Sequence, residues 1–220
     1  MKSNLSVQNF NKRVLNAIKE SWHIFSNKVG KGLIIINKEA SMQLQFAYIL
    51  QQMLPLVIFK KSEKVVIELE TTVFDGSNYR EADVIVTARE NESEYKIAIE
   101  LKCYKKLASS GGNRGASDIF MKDVYQDLNY LENYYREKKA DYGIGLVMTD
   151  FKKIVHPEKK QGKCWIYDTS CGSLTKIGYY STPIGGKSVN INLEKQYLFD
   201  WNQVNDYYFV LLENKNPKYK

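Results

Sequence analysis

The sequence predicts an α/β domain in which a helix, three strands, a second long helix and a fourth strand succeed one another, and three observations predict it. Two stretches carry apolar residues at steps of three and four, the spacing of an amphipathic helix. Between them lie three stretches rich in β-branched and aromatic residues, each closed by a turn-forming cluster. Residues 142–149, Tyr-Gly-Ile-Gly-Leu-Val-Met-Thr, are almost wholly apolar or glycine, the pattern of a central strand covered on both faces.

Taken in order, an N-terminal helix is expected over residues 7–29. There Val7, Phe10, Val14, Ile18, Trp22 and Phe25 share a face, and Gly30-Lys31-Gly32 ends it. A second helix spans about 38–53, with Met42, Phe46, Ile49, Leu50 and Met53 inward and Pro55 blocking its continuation. Strands follow over 63–72, 80–89 and 94–104, divided by Asp75-Gly76-Ser77-Asn78 and Glu90-Asn91-Glu92-Ser93. The small polar run 109–115 reads as a loop. Ser117 or Asp118 then caps a helix that runs to about Lys139, with Phe120, Val124, Leu128, Leu131 and Tyr135 as its apolar stripe. Arg136, Lys138 and Lys139 fall in its last turn, where the helix dipole favours cations. Beyond Asp150, strands are expected over 163–168, 175–180 and 207–213, and then a frayed basic tail. The chain thus reads as one domain: a helical extension over 1–32, a core over 38–150 and a β-rich elaboration over 151–220.

Composition narrows the chemistry. A 220-residue chain that is 44% hydrophobic can bury a core, and its formal charge of +7 makes nucleic acid the first partner to test. No apolar run is long enough to span a bilayer and the first 30 residues carry charges throughout, so neither a signal peptide nor a membrane partner is expected, and a cytoplasmic location is. Cys103, Cys164 and Cys171 are too few and wrongly spaced for a disulfide framework or a zinc site, and reduced, buried thiols are expected. His23 and His156 stand alone and no Gly-x-Ser-x-Gly turn occurs, which leaves a Ser/His/Asp hydrolase or a Cys/His protease little to work with. Carboxylates, lysine and a bound cation remain.

Those groups meet in Arg80-Glu81-Ala82-Asp83-Val84-Ile85-Val86 and Ile97-Ala98-Ile99-Glu100-Leu101-Lys102. Alternation along a strand sends Glu100 and Lys102 to one face with Ala98. It sends Glu81, Asp83 and Ile85 to one face of the preceding strand, and Ala82, Val84 and Val86 to the other. In a hairpin Asp83 and Glu100 converge beside Lys102. Two convergent carboxylates suit Mg²⁺, which shares its shell with water and phosphate oxygens, and a neighbouring ammonium offsets charge on a phosphate in hydrolysis. The alternative is a solvated strand face.

Asp83, then Glu100-Leu101-Lys102, then a helix and an apolar strand together resemble the PD-(D/E)xK nuclease superfamily, over about residues 38–150. Ala82 stands where the family's motif name has proline. The resemblance implies a restriction-endonuclease-like core, α-β-β-β-α-β, with a mixed central sheet flanked by helices. It implies a metal-dependent deoxyribonuclease with Mg²⁺, for which Mn²⁺ substitutes, bound by Asp83, Glu100 and the Leu101 backbone carbonyl, while Lys102 positions or activates water. Gln126-Asp-Leu-Asn-Tyr130 on the next helix is similar to the Gln-x-x-x-Tyr feature of the RecB-type and phage exonuclease branch, where the pair supports the site and the substrate; otherwise it is an exposed helix face. An acidic residue on the preceding helix often reaches the metal in this superfamily, which nominates Glu39; a solvated carboxylate in a first helical turn is the other reading. Lys105, Lys106, Arg114 and Lys122 flank the proposed centre as contacts to the DNA backbone. The resemblance tilts towards DNA and leaves RNA open. A homodimer would suit a cutter of both strands, although no seam is visible in the sequence. The competing expectation is a catalytically inactive nucleic-acid-binding or assembly module that keeps the fold.

Overall fold

A computed structural model describes residues 9–107, 111–112 and 114–213. Three long strands, β1 (Glu63–Phe74), β2 (Tyr79–Glu90) and β3 (Ser93–Tyr104), form an antiparallel meander. Its turns fall where expected: the Asp75 N–H donates to the Asn78 carbonyl at 2.9 Å, and Asn91 takes the left-handed conformation (φ 54°) that a two-residue hairpin turn favours. The helix α3 (Ser117–Arg136) then crosses to β4 (Tyr142–Thr149), which pairs parallel to β3; a parallel pair requires such a crossover. Gly143 of β4 lets the helix approach, since a Cβ there would lie 2.9 Å from Leu131 Cβ.

The chain beyond β4 only partly follows expectation. Residues 163–168 are not a strand: Lys163–Tyr167 is a 3₁₀ turn entered from Gly162 at φ 99°. Cys164 and Trp165 pack against the core and Tyr167 is fully buried, so residues one and three apart face inward, which a strand's alternation forbids. Of 175–180 only β5 (Gly178–Tyr180) is extended, paired with β6 (Ile191–Leu193), which the sequence reading missed. After a further short strand, β7 (Asn202–Val204), comes β8 (Tyr207–Leu212), antiparallel to β4. The main sheet is therefore six-stranded and mixed, in the order β1-β2-β3-β4-β8-β7. Part of the expected C-terminal elaboration belongs to the central sheet. A single helical turn, α4 (Lys152–Val155), follows β4.

Helices flank both faces of the sheet. On one face α1 (Phe10–Gly30) and α2 (Glu39–Met53) bring Ile18, Phe25, Met42, Phe46 and Leu50 against Val84, Val86, Ile97, Ile99 and Phe209. On the other, Val124, Leu128 and Leu131 of α3 meet Ile85, Ala98, Val147 and Val210. Consecutive residues of β2 and β3 feed opposite cores, which is why both strands read as nearly continuous apolar runs. The α1 helix starts at Phe10 on an Asn9 cap, and Val7 lies outside the described residues. It is a layer of the domain rather than an extension: Trp22 packs 6.1 Å from Phe46 and 5.8 Å from Phe209, ring centre to ring centre. Arg13, buried, pairs with Glu63 at 2.6 Å and ties α1 to the start of β1.

Three details of α3 differ from expectation. Ala116 (φ 65°) occupies its N-cap without a side-chain bond, so Ser117 and Asp118 lie inside the first turn. Lys138 turns left-handed (φ 54°) and ends the helix at Arg136 instead of Lys139. Tyr134 rather than Tyr135 completes the buried stripe; Tyr135 is exposed beneath the Lys195 ammonium. Among the cysteines only Cys103 is buried, with its thiol pushed up by burial to about 12, whereas Cys164 is half-buried and Cys171 exposed. The expected loop lies partly outside the described residues, and the basic tail, 214–220, wholly so. No helix among the described residues is long and apolar enough to cross a membrane.

Candidate active site

The site begins where the sheet ladders open. The β2–β3 register starts at Val84 opposite Ile99, and the β1–β2 register passes over Glu70 and Asp83. Glu70 has φ 50°, and Gln43 of α2 fills the gap, donating through Nε2 to the Asp83 carbonyl at 2.8 Å and to Glu70 Oε1 at 2.7 Å. This break overturns one expectation: Ala82 does not share a face with Val84 and Val86 but packs with Ile85 and Ala98. Strand alternation cannot run unbroken through a residue that the β1–β2 ladder passes over and the β2–β3 ladder does not reach.

Released from the ladders, the Asp83 carboxylate accepts the Leu101 N–H at 2.6 Å. Asp83, Glu100 and Lys102 then line one open pocket of about 350 Å³. Asp127, Tyr130 and Tyr134 of α3 form its wall, and Tyr79, Arg80 and Glu81 its rim. Lys102 Nζ lies 3.2 Å from Glu39 Oε1 and 3.3 Å from Asp127 Oδ2. Glu39, at the start of α2, also accepts the Cys103 N–H at 3.2 Å. Tyr134 donates its hydroxyl to Glu100 Oε1 at 3.1 Å.

Four carboxyl groups therefore gather around one ammonium. Burial pushes the Asp83 carboxyl up to about 6, against the pull of the Leu101 N–H and with repulsion from Glu39 adding to the rise. Burial raises Asp127 to about 7, although Lys102 opposes it. Glu100 is raised well above its ordinary value by burial and then by Asp127 and Asp83. Burial works against the charge on Lys102, yet Asp127 and Glu39 outweigh it and raise its pKa, so Lys102 holds its proton at neutral pH. Asp127 Oδ2 is buried and meets Lys102 Nζ at 3.3 Å as an ion pair. The cluster is short of positive charge.

Whether a cation fits can be judged from these donors. Among the described residues no three His, Cys, Asp or Glu side chains are grouped to hold a metal by themselves. Asp83 and Glu100 are hard oxygen donors that repel one another across the same pocket. Two carboxylates with water and substrate oxygens completing the shell are a usual protein contribution to Mg²⁺, so the donor set fits that ion. Leu101 meets the cluster through its N–H.

The helix presents a different face from the one expected. Gln126 does not line the pocket; Asp127, Tyr130 and Tyr134, spaced i, i+3, i+7, do. Asp127 and Tyr134 were missed in the sequence, and their spacing with Tyr130 is the signal that would have found them. The expected cationic rim is also displaced. None of Lys105, Lys106, Arg114 and Lys122 lines the pocket. Lys105 donates to the Tyr207 hydroxyl at 2.6 Å and lies 3.4 Å from Asp150, and Lys122 pairs with its neighbour Asp123. Lys106 and Arg114 are exposed. Besides Lys102, the cation lining the pocket is Arg80, at its rim, 4.2 Å over the Tyr130 ring and bonded through Nε to Asp75. Burial opposes charge on Asp75, but the Asn78 N–H, Arg80 and Ser77 hold it down to about 2.

Fold and site together define an α/β protein with a mixed sheet and a partly buried carboxylate–lysine cluster at the opening of two strand ladders. No protein-family model, curated protein or solved structure matches the chain.

Proposed function

We propose that this protein is a metal-dependent nuclease of the PD-(D/E)xK type, with a restriction-endonuclease-like core, which hydrolyses DNA phosphodiester bonds with Mg²⁺ or Mn²⁺. The observation that carries the reading is the meeting of Asp83, Glu100 and Lys102, from two strands, in one open pocket with an excess of carboxylates. Residues that only stabilise a fold are seldom arranged to repel one another; functional sites often are. Asp83 and Glu100 would hold the ion, which when bound supplies positive charge against that developing on the phosphate.

The chain's own groups have definable parts. Lys102 keeps its proton, so it serves as a fixed cation and hydrogen-bond donor to a phosphate oxygen or the attacking water, and not as a base. Tyr134 orients Glu100, and Gln43 fixes the Asp83 backbone. Arg80, stacked on Tyr130 at the rim, is the group able to meet the substrate backbone. Tyr130, which lines the pocket, would stand beside the substrate; Gln126 has no part in this reading.

The test is incubation of linear and circular DNA, and of RNA, with the protein in EDTA, Mg²⁺ or Mn²⁺. Metal-dependent loss of substrate that disappears in Glu100→Gln and Lys102→Ala is the expected result. One observation favours the inactive binding module instead: Lys102 is already engaged by two carboxylates and Asp83 by an amide. A gel shift without cleavage under every metal condition would establish that reading and end the nuclease one.

A further inference from the structure

The two edges of the main sheet are unlike. β7 has three residues, whereas β1 has twelve. A long edge presents a row of backbone N–H and C=O groups able to pair with another strand. Glu70, with φ 50° and its carboxylate held by Gln43, bends the strand, so the regular part of the edge ends at Leu69. Along that part, alternation puts Lys64, Val66 and Glu68 on one face. On the other, Val65, Ile67 and Leu69 line a groove of about 300 Å³ with Ala47, Leu54 and Ile58. Val66 is 40% exposed and Leu69 43%, and Leu44 and Tyr48 of α2 stand exposed as well.

We propose that β1 pairs with the β1 strand of a second copy of this chain, antiparallel about a two-fold axis through Val66, joining the two sheets into one. In that register Lys64 of each copy stands opposite Glu68 of the other, Val65 opposite Ile67, and Val66 opposite its own copy. Opposite charges and β-branched pairs directly across strands are stabilising, and the two-fold axis makes each heterotypic pair twice. Charges on an edge strand ordinarily hold sheets apart. Here their signs are ordered so that the same two residues attract. Centring the pair on Ile67 would set Lys64 against Glu70, whose backbone is left-handed and whose carboxylate is already bonded, so Val66 is the centre that uses only extended residues. An axis normal to the sheet keeps both grooves, with Leu44 and Tyr48, on one face of the joined sheet.

The inference is independent of the nuclease reading, and charge exchange tests it. The full chain, Lys64→Glu, Glu68→Lys, an equimolar mixture of the two variants, and the double variant are each followed by sedimentation equilibrium over a dilution series. Both positions are exposed, so the fold should survive, and circular dichroism checks that it does. The wild type should dimerise. Each single variant, with both symmetric pairs turned like-charged, should lose on the order of tenfold or more in dimer affinity. The mixture should recover it, because the all-acidic and all-basic edges complement each other, and so should the double variant. A wild type that stays monomeric, single variants that dimerise like the wild type, or a mixture that fails to recover would each overturn the proposal.

Discussion

Two buried charge clusters sit on this sheet, and they are built on opposite principles. At the start of β1, Glu63 accepts from Arg13 at 2.6 Å and from the Phe59 and Lys60 N–H groups at 2.7 and 3.2 Å. Burial works against its charge, yet these partners hold its pKa below the ordinary value. At the ladder opening, Glu100 accepts a single side-chain bond among the described residues, from Tyr134, and its pKa is driven up. The first cluster is compensated and serves the fold. The second leaves carboxylates in excess, an arrangement that disfavours folding and favours an incoming cation.

The comparison breaks most sharply on activity. Glu100→Gln or Lys102→Ala should reduce metal-dependent DNA cleavage by at least about 10²–10³-fold while the thermal transition persists, the scale of removing one charge-stabilising group from an active site. Unchanged cleavage by both purified variants would remove the site assignment. Next in size is the compensated pair. Arg13→Ala should destabilise the protein by about 3–5 kcal/mol in urea, because it strands a buried Glu63 carboxylate. A loss below about 1 kcal/mol would mean that the pair is not buried as described.

Cation binding follows. Mg²⁺ at a hundred times its dissociation constant should stabilise the wild type by about 2.7 kcal/mol. Glu100→Gln should be more stable than the wild type without metal and gain less from it. Equal gains in both would place the ion elsewhere. Last comes Asp75, another buried carboxylate and a compensated one. Its pKa falls from 3.8 to about 2, so its contribution is present above about pH 4 and is lost as pH falls through about 2. The shift corresponds to about 2 kcal/mol, and Asp75→Asn should flatten the acid limb of a stability–pH curve by that amount.

Much of the architecture was legible because apolar spacing is a local property. The meander of β1, β2 and β3, the helix α3 and the strand β4 all follow from periodicity and turn residues. That Glu100 and Lys102 share one face of β3 followed from alternation alone. Legibility failed where a distant contact decided the outcome. Residues 163–167 carry strand-forming side chains but bury Tyr167, whose hydroxyl bonds the Thr182 carbonyl, in a 3₁₀ turn. Gln126 and Tyr130 share a helix face, yet the rotation of α3 against the sheet turns Asp127, Tyr130 and Tyr134 to the pocket. Arg80 was visible beside Asp83 but gained a role only through its bond to Asp75 and its stacking on Tyr130.

The sequence by itself determined the class of the fold, the succession of its central elements, and the common face of Glu100 and Lys102, because the periods of helix and strand are written in neighbouring residues. Only the tertiary structure decided that Ala82 changes face, that Asp127 joins the cluster, that Lys105 and Lys122 are engaged elsewhere, and that β8 continues the sheet. Each of these depends on the break at Asp83, on the rotation of a helix or on a strand pairing between residues about 60 apart in sequence, and no local pattern encodes the packing that chooses among them.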